Sequence, residues 1–236
     1  MKVLSIDSAT EVATCAILDD DKLIGEICLN YKKQHSVLLM PMIDELLKKT
    51  DNTINDIDGF VVSKGPGSFT GLRIGMATIK GLCHGSNKPF VSVSTLDALA
   101  FSLAYTEGVI CPVLDALRGN VYTALYKFEN EELVRLSDYD NLSFDELLDT
   151  LKERNEKITF IGDATYKSKE KIQTSSTKFF IAPTSLNLVK ASCLGELGMK
   201  KLLKGEKEEL FSSAPIYLRK SQAEREYEER TGKSAT

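Results

Sequence analysis

The chain of 236 residues predicts an α/β fold built twice: two duplicated lobes, each with a mixed sheet flanked by helices. Three observations carry this reading. Short apolar runs of strand length alternate with helical segments along the chain. A strand, a glycine-rich turn and a helix are followed at once by another strand, which is a parallel crossover. Residues 7–17 align without gaps on residues 115–125, at an offset of 108 (115 − 7), and an acidic residue, Asp7 or Asp115, ends the first strand of each half.

The first lobe opens with strands at 3–6, 12–18 and 23–29, the last two joined by the hairpin Asp19-Asp20-Asp21-Lys22. From Ser36 to Lys49, Leu39, Ile43, Leu46 and Leu47 keep a helical period, although Pro41 removes an N–H and is expected to kink the first turns. A buried-type strand at 59–63 leads into Lys64-Gly65-Pro66-Gly67-Ser68-Phe69-Thr70-Gly71, where proline and glycine set a tight turn and Ser68 or Thr70 can cap the helix over 70–84. Gly75 lies one turn after Gly71, and each interior glycine costs roughly 1 kcal/mol relative to alanine. A strip without side chains lets another backbone approach. One reading places a partner helix there, so that Gly75→Leu blocks association while the monomer stays folded; the competing one packs Gly75 against its own lobe. A strand at 90–93 follows, then a helix from Thr95 with Ser94 and Asp97 at capping-box spacing.

The second half repeats the plan with strands at 109–114, 121–128 and 133–136 and a helix at 144–154, whose start carries the box Ser143 and Glu146. Strands at 158–161 and 179–181 and a helix at 188–204, stopped by Gly205, complete it. Three antiparallel strands, then helix and parallel strand, twice over, is the ribonuclease-H-like lobe of actin-type proteins. The expected domains are 1–104 and 105–218, with 219–236 a charged tail that is mobile or ordered by a partner.

Bulk properties narrow the function. Thirty Lys and Arg against 34 Asp and Glu leave a net charge of −4, the wrong sign for gripping nucleic acid unaided. The five cysteines show no CxxC spacing, so neither a disulfide framework nor a metal knot is expected. The apolar run at the start breaks at Asp7 and no 18-residue apolar stretch exists, which predicts a cytoplasmic chain without membrane attachment.

Asp7 and Asp115 stand where actin-like ATPases handle magnesium and phosphate. A working phosphate loop wants a glycine soon after the acid. Here Asp7 precedes Ser8-Ala9-Thr10, and Asp115 precedes Ala116-Leu117-Arg118 with Gly119 only fourth. Asp7, Thr10 and Asp115 therefore read as vestigial nucleotide-site positions, with the aspartates holding Asx turns, in preference to active ATP chemistry. Gly65, Gly67 and Gly71 approach a dinucleotide fingerprint but follow the wrong strand and lack the ribose-binding acid, and no Walker lysine is present. His35 and Ser36 are adjacent at a helix start with no orienting acid, a poor nucleophilic pair. Tyr122, Tyr126 and Phe128 alternate as one strand face and read as core before they read as base-stacking residues.

The glycine segment from Ser63 to Gly75, with Ser5-Ile6-Asp7-Ser8-Ala9-Thr10, Gln34-His35-Ser36 and Asp115-Ala116-Leu117-Arg118, resembles the TsaB (YeaZ) family from Met1 to about Arg219. The resemblance implies a non-catalytic subunit in the formation of threonylcarbamoyladenosine in tRNA, paired with its catalytic paralogue TsaD and served by the ATPase TsaE. It implies tRNA contact only through the complex, a homodimer when alone, and no cofactor of its own, with ATP or ADP at home in the assembled complex. Contact residues carried over by it are Leu39, Met42, Ile43 and Leu46 from one helix and Phe69, Arg73, Gly75, Met76 and Lys80 from the next, beside the turn Gly65, Pro66, Gly67 and Gly71. TsaD-like proteins carry an HxxxH metal pair where this chain has Thr95 and Leu99, so a metallopeptidase is disfavoured and no metal is expected. Two alternatives stay open: an actin-like ATPase or phosphotransferase with its own nucleotide site, and an autonomous RNA-binding module.

Overall fold

Connection length decides strand direction in both halves. The structure, a computed structural model, describes residues 1–31, 34–219, 230 and 231. Strands β1 (Lys2–Asp7), β2 (Val12–Asp19) and β3 (Lys22–Asn30) are joined by tight turns and pair antiparallel. Helix α1 (His35–Lys49) then returns the chain to β4 (Gly59–Ser63), and α2 (Phe69–Ser86) returns it to β5 (Phe90–Val93), both parallel to β1. The sheet order is β3-β2-β1-β4-β5. Helix α3 (Thr95–Phe101) follows.

The second half has the same layout. Strands β6 (Val109–Asp115), β7 (Asn120–Thr123), β8 (Tyr126–Glu129), β9 (Glu132–Arg135) and β10 (Asp140–Ser143) precede α4 (Phe144–Glu153), β11 (Ile158–Ile161), α5 (Ala164–Ser175), β12 (Phe179–Ile181) and α6 (Ala191–Leu203). The main sheet runs β10-β7-β6-β11-β12, with the β8–β9 hairpin attached to β6. These are two ribonuclease-H-like lobes, an actin-like fold.

Several expectations are corrected. The single strand expected over 121–128 is broken at Ala124 and Leu125. One register, carried from Val113↔Thr123 to Ile110↔Tyr126, sets Pro112 opposite Ala124, and proline has no N–H for the ladder. The third strand of the second sheet is β10, not the segment near Leu133, which belongs to the side hairpin. Helix α5 was not expected, because only Ala164, Thr165 and Ile172 are buried along it and its apolar period is thin. The final helix starts at Ala191 and not at Leu188. Ser94 caps α3 through the Leu96 N–H, but Asp97 closes no box: its carboxylate accepts from the Tyr126 and Tyr139 hydroxyls at 2.8 and 2.9 Å. It ties α3 to the β8–β9 hairpin. The charged tail lies largely outside the described residues.

Three cores result. Leu4, Ile6, Cys15 and Ile17 pack under α1 and α2, and Val109, Cys111 and Val113 pack under α4 and α5. Between the lobes, the last helix of each half crosses over: α3 packs on β6, and α6 packs on β1 and β2. That exchange buries Leu96, Leu99, Ile110, Leu114, Leu194 and Leu202 in one shared core. At about 1.5–3 kcal/mol per large apolar side chain, this core resists separation of the lobes.

Candidate functional site

The duplicated loops meet at the mouth of a cleft of about 1100 Å³ between the lobes. In each copy the strand-ending aspartate folds the loop onto itself by the same bond. Asp7 Oδ1 accepts from the Ala9 N–H at 2.7 Å, and Asp115 Oδ1 accepts from the Leu117 N–H at 2.8 Å, which are Asx turns 108 residues apart. The glycine turn closes on the first of them. Ser68 donates its N–H to the Ala9 carbonyl at 2.6 Å, and a Cβ on Gly67 would stand 2.2 Å from that oxygen. His35 Nε2 bonds the Thr10 carbonyl at 2.7 Å, so the start of α1 is tied to the same loop. Gln34, not Ser36, is the N-cap.

These bonds do not fit a triphosphate. The N–H groups of Ala9 and Leu117, which would wrap phosphate oxygens, are held by the chain's own carboxylates. Asp115 is further engaged, its Oδ2 by Lys167 at 2.5 Å and its N–H by Asp163 Oδ1 at 2.8 Å. Asp7 is wholly buried, and its Oδ2 has no hydrogen-bond partner among the described residues. Burial lifts its carboxyl to about 6, against the Ala9 N–H and the nearby Ser63 hydroxyl.

The residues carried over as partner contacts divide into two groups, and the first is a correction. Leu39, Met42, Ile43, Leu46 and Met76 are at most 4% exposed and pack on the chain's own first sheet, so none of them is presented outward. Gly75 is buried too. A Cβ there would meet Ser8 Oγ at 2.5 Å, and one on Gly71 would meet the Ser8 carbonyl oxygen at 2.0 Å, so the glycine strip admits the chain's own first loop. The competing reading of Gly75 holds.

The second group, Phe69, Arg73 and Lys80, lies on the flank of α2 and is already engaged by residues 206–219, which run back from α6. Tyr217 stacks on Phe69 with ring centroids 4.7 Å apart and accepts from Arg73 Nε at 3.2 Å, while Lys80 Nζ donates to the Ser213 carbonyl at 2.7 Å. What α1 and α2 leave open is a different set: Val37 at 62% and Met40 at 47% exposure, with Pro41, Ala77 and Gly81. Among the described residues no heavy atom comes within 4 Å of a Cβ built on Gly81 or Gly85. Sequence periodicity picked the strong apolar stripe, which is the core stripe; the signal for the outward face was the apolar Val37 and Met40 off that stripe.

Thr95 and Leu99 serve packing. The Thr95 hydroxyl bonds Ser63 at 2.5 Å and Leu99 is fully buried in the shared core. Among the described residues no group of three His, Cys, Asp or Glu is placed to hold a metal, and no helix is long and apolar enough to cross a membrane.

Comparison with known proteins identifies the family and supports the fold. A family model described as TsaD, tRNA N6-adenosine threonylcarbamoyltransferase, matches residues 22–227. The chain is 36% identical to the tRNA threonylcarbamoyladenosine biosynthesis protein TsaB of Bacillus subtilis, over 95% of this chain and 96% of that one. It is 34% identical to TsaB of Escherichia coli over 54% of this chain and 55% of that one. A crystal structure of a Pseudomonas aeruginosa protein with similarity to the peptidase YeaZ superposes with a TM-score of 0.78 at 22% identity, covering 92% of this chain and 99% of that one, a likeness of fold.

Proposed function

Because the chain belongs to the TsaB family of tRNA threonylcarbamoyladenosine biosynthesis proteins, we propose that it serves this modification as a non-catalytic subunit, docking its α1–α2 face on the paralogue TsaD. The observation that carries the proposal is the outward face itself. Val37 and Met40 stand exposed on α1, and the neighbouring α2 exposes Ala77, Gly81 and Gly85, where a partner's helix can close to backbone distance. The cleft supports a non-catalytic role, since the Ala9 and Leu117 N–H groups are spent on internal Asx turns and Thr95 and Leu99 are committed to packing. In this reading TsaE and tRNA engage the assembled complex, ATP or ADP is held there and not in this chain's cleft, and a second copy covers the same face when TsaD is absent.

The double variant Val37→Asp, Met40→Asp tests it. Both side chains are largely exposed, so the melting temperature of the isolated chain should stay near wild type. Affinity for purified TsaD, read by calorimetry, should fall by roughly 30-fold or more, as two charges are buried against an apolar partner. Wild-type affinity would remove this face from the interface.

Nucleic-acid binding is a second test. With a net charge of −4, the isolated chain should bind tRNA only weakly at physiological salt, and addition of TsaD should supply the affinity. Gel shifts at two salt concentrations decide this. Submicromolar binding by the chain alone would instead favour an autonomous RNA-binding module.

A further inference from the structure

The segment 206–219 wraps the first lobe from the end of α6 to the cleft, and each of its contacts is specific. Its Glu208 N–H donates to the Phe90 carbonyl at 2.9 Å, and the Glu208 carboxylate accepts from the Ser92 N–H and hydroxyl, so it covers the exposed edge of β5. Leu210 is half-buried against the core under α1 and α2. Ile216 donates its N–H to the Lys64 carbonyl at 2.8 Å, and Arg219 reaches across the cleft to the Ala116 carbonyl of the second lobe.

One side chain in this strap makes no such contribution. Phe211 is 90% exposed, although the backbone around it is held: Leu210 is half-buried against the core under α1 and α2, and Lys80 Nζ lies 3.5 Å from the Phe211 carbonyl and 2.7 Å from that of Ser213. The backbone is thus held against α2 while the ring points away from the chain. Lys80 lies on the flank of α2, one residue before the exposed Gly81, so the strap that carries the ring runs along the same helix as Ala77 and Gly81.

We propose that Phe211 is an aromatic anchor of the docking face, inserting into an apolar pocket of TsaD beside the helices that meet α1 and α2. The inference rests on the docking reading above and deepens it: the face has three ribs, α1, α2 and the strap. Phe69, Arg73 and Lys80 act by holding the strap in place, and Phe211 makes the contact in their stead. A rigidly presented aromatic ring that fills a partner pocket is the usual hot-spot arrangement, because burying it costs little conformational entropy and removes a large apolar area from water. Val37, Met40 and Phe211 are the exposed large apolar side chains of the face, and α2 adds the cations Arg73 and Lys80 without an Asp or Glu. The face therefore suits a partner whose facing surface is apolar and not basic.

The test uses the full chain and purified TsaD. Phe211→Ala should leave the melting temperature at the wild-type value and weaken TsaD binding about tenfold or more, whereas Phe211→Tyr, which keeps the ring, should restore most of the affinity. Val37→Asp is measured alongside as a check on the underlying reading. If Val37→Asp abolishes binding and Phe211→Ala does not weaken it, the strap is excluded from the interface and the docking reading stands. If both bind as wild type, the docking reading itself fails. Loss of affinity with a lowered melting temperature would make Phe211 a fold-holding residue and overturn the anchor. Loss of self-association with unchanged TsaD affinity would assign the ring to a second copy of the chain and likewise overturn it.

Discussion

Gly75→Leu is expected to destabilise the isolated chain by about 3 kcal/mol or more, and to lose its partner only because it unfolds. The residue has no room: its added Cβ would lie 2.5 Å from Ser8 Oγ and 3.7 Å from Val62, both in the first lobe. The Ser8 hydroxyl cannot swing away without breaking its 2.9 Å bond to the Gly71 carbonyl, the contact that seats α2 on the first loop. Gly81→Ala, on the opposite side of the same helix, is the internal control. Among the described residues nothing lies within 4 Å of its added Cβ, so alanine should raise stability by roughly 1 kcal/mol through helix propensity alone. Urea titration of both variants reads the contrast directly. A Gly75→Leu chain with a wild-type midpoint would mean that α2 does not sit on Ser8 as described.

Asp7→Asn should raise stability at pH 8 by roughly 3 kcal/mol and leave it unchanged near pH 3. In the fold this carboxyl is lifted to about 6, against 3.8 when free, because it is wholly buried and the Ala9 N–H with the nearby Ser63 and Thr95 hydroxyls offset only part of that cost. Between those two values the native state keeps a proton that the unfolded chain has released. Its contribution to stability is therefore fully present below about pH 4 and is lost as pH rises through about 6. Asparagine keeps the oxygen that accepts from the Ala9 N–H and replaces the buried charge by an amide. Denaturation of both proteins from pH 3 to 8 gives the difference curve. An Asp7→Asn chain less stable than wild type at pH 8 would show that the charged form is the one the fold needs.

Both of these predictions come from tertiary contacts that pattern alone could not supply, and the distinction runs through the whole chain. Strands β4, β5 and β11 were legible to the residue because each is a short apolar run between turn signals, and such runs have few alternatives. The gapless match of residues 7–17 on 115–125 likewise foretold the paired Asx turns, since an i to i+2 bond depends only on local residues. Strand β10, with the sequence Asp140-Asn141-Leu142-Ser143, and helix α5 were hidden because their own residues bury little and partners elsewhere decide them. The break between β7 and β8 depends on Pro112, which sits across the sheet and not in the broken strand.

The same division governs the site. The sequence by itself determined the duplicated α/β plan, the glycine turn with Ser68 or Thr70 to cap the helix after it, the two aspartates at strand ends, and a family resemblance resting on those local motifs; the structure uses Ser68. Only the tertiary structure decided which way α1 and α2 face. Periodicity shows that Leu39, Ile43 and Leu46 share a stripe, but a stripe is equally apolar whether it meets its own sheet or another chain. Likewise, Phe69, Arg73 and Lys80 look free until residues more than a hundred positions away return to bond or pack on them. Local chemistry fixes turns and periods because its partners are neighbours in the chain; exposure is a property of what packs on a surface, and that is settled only when the whole chain has folded.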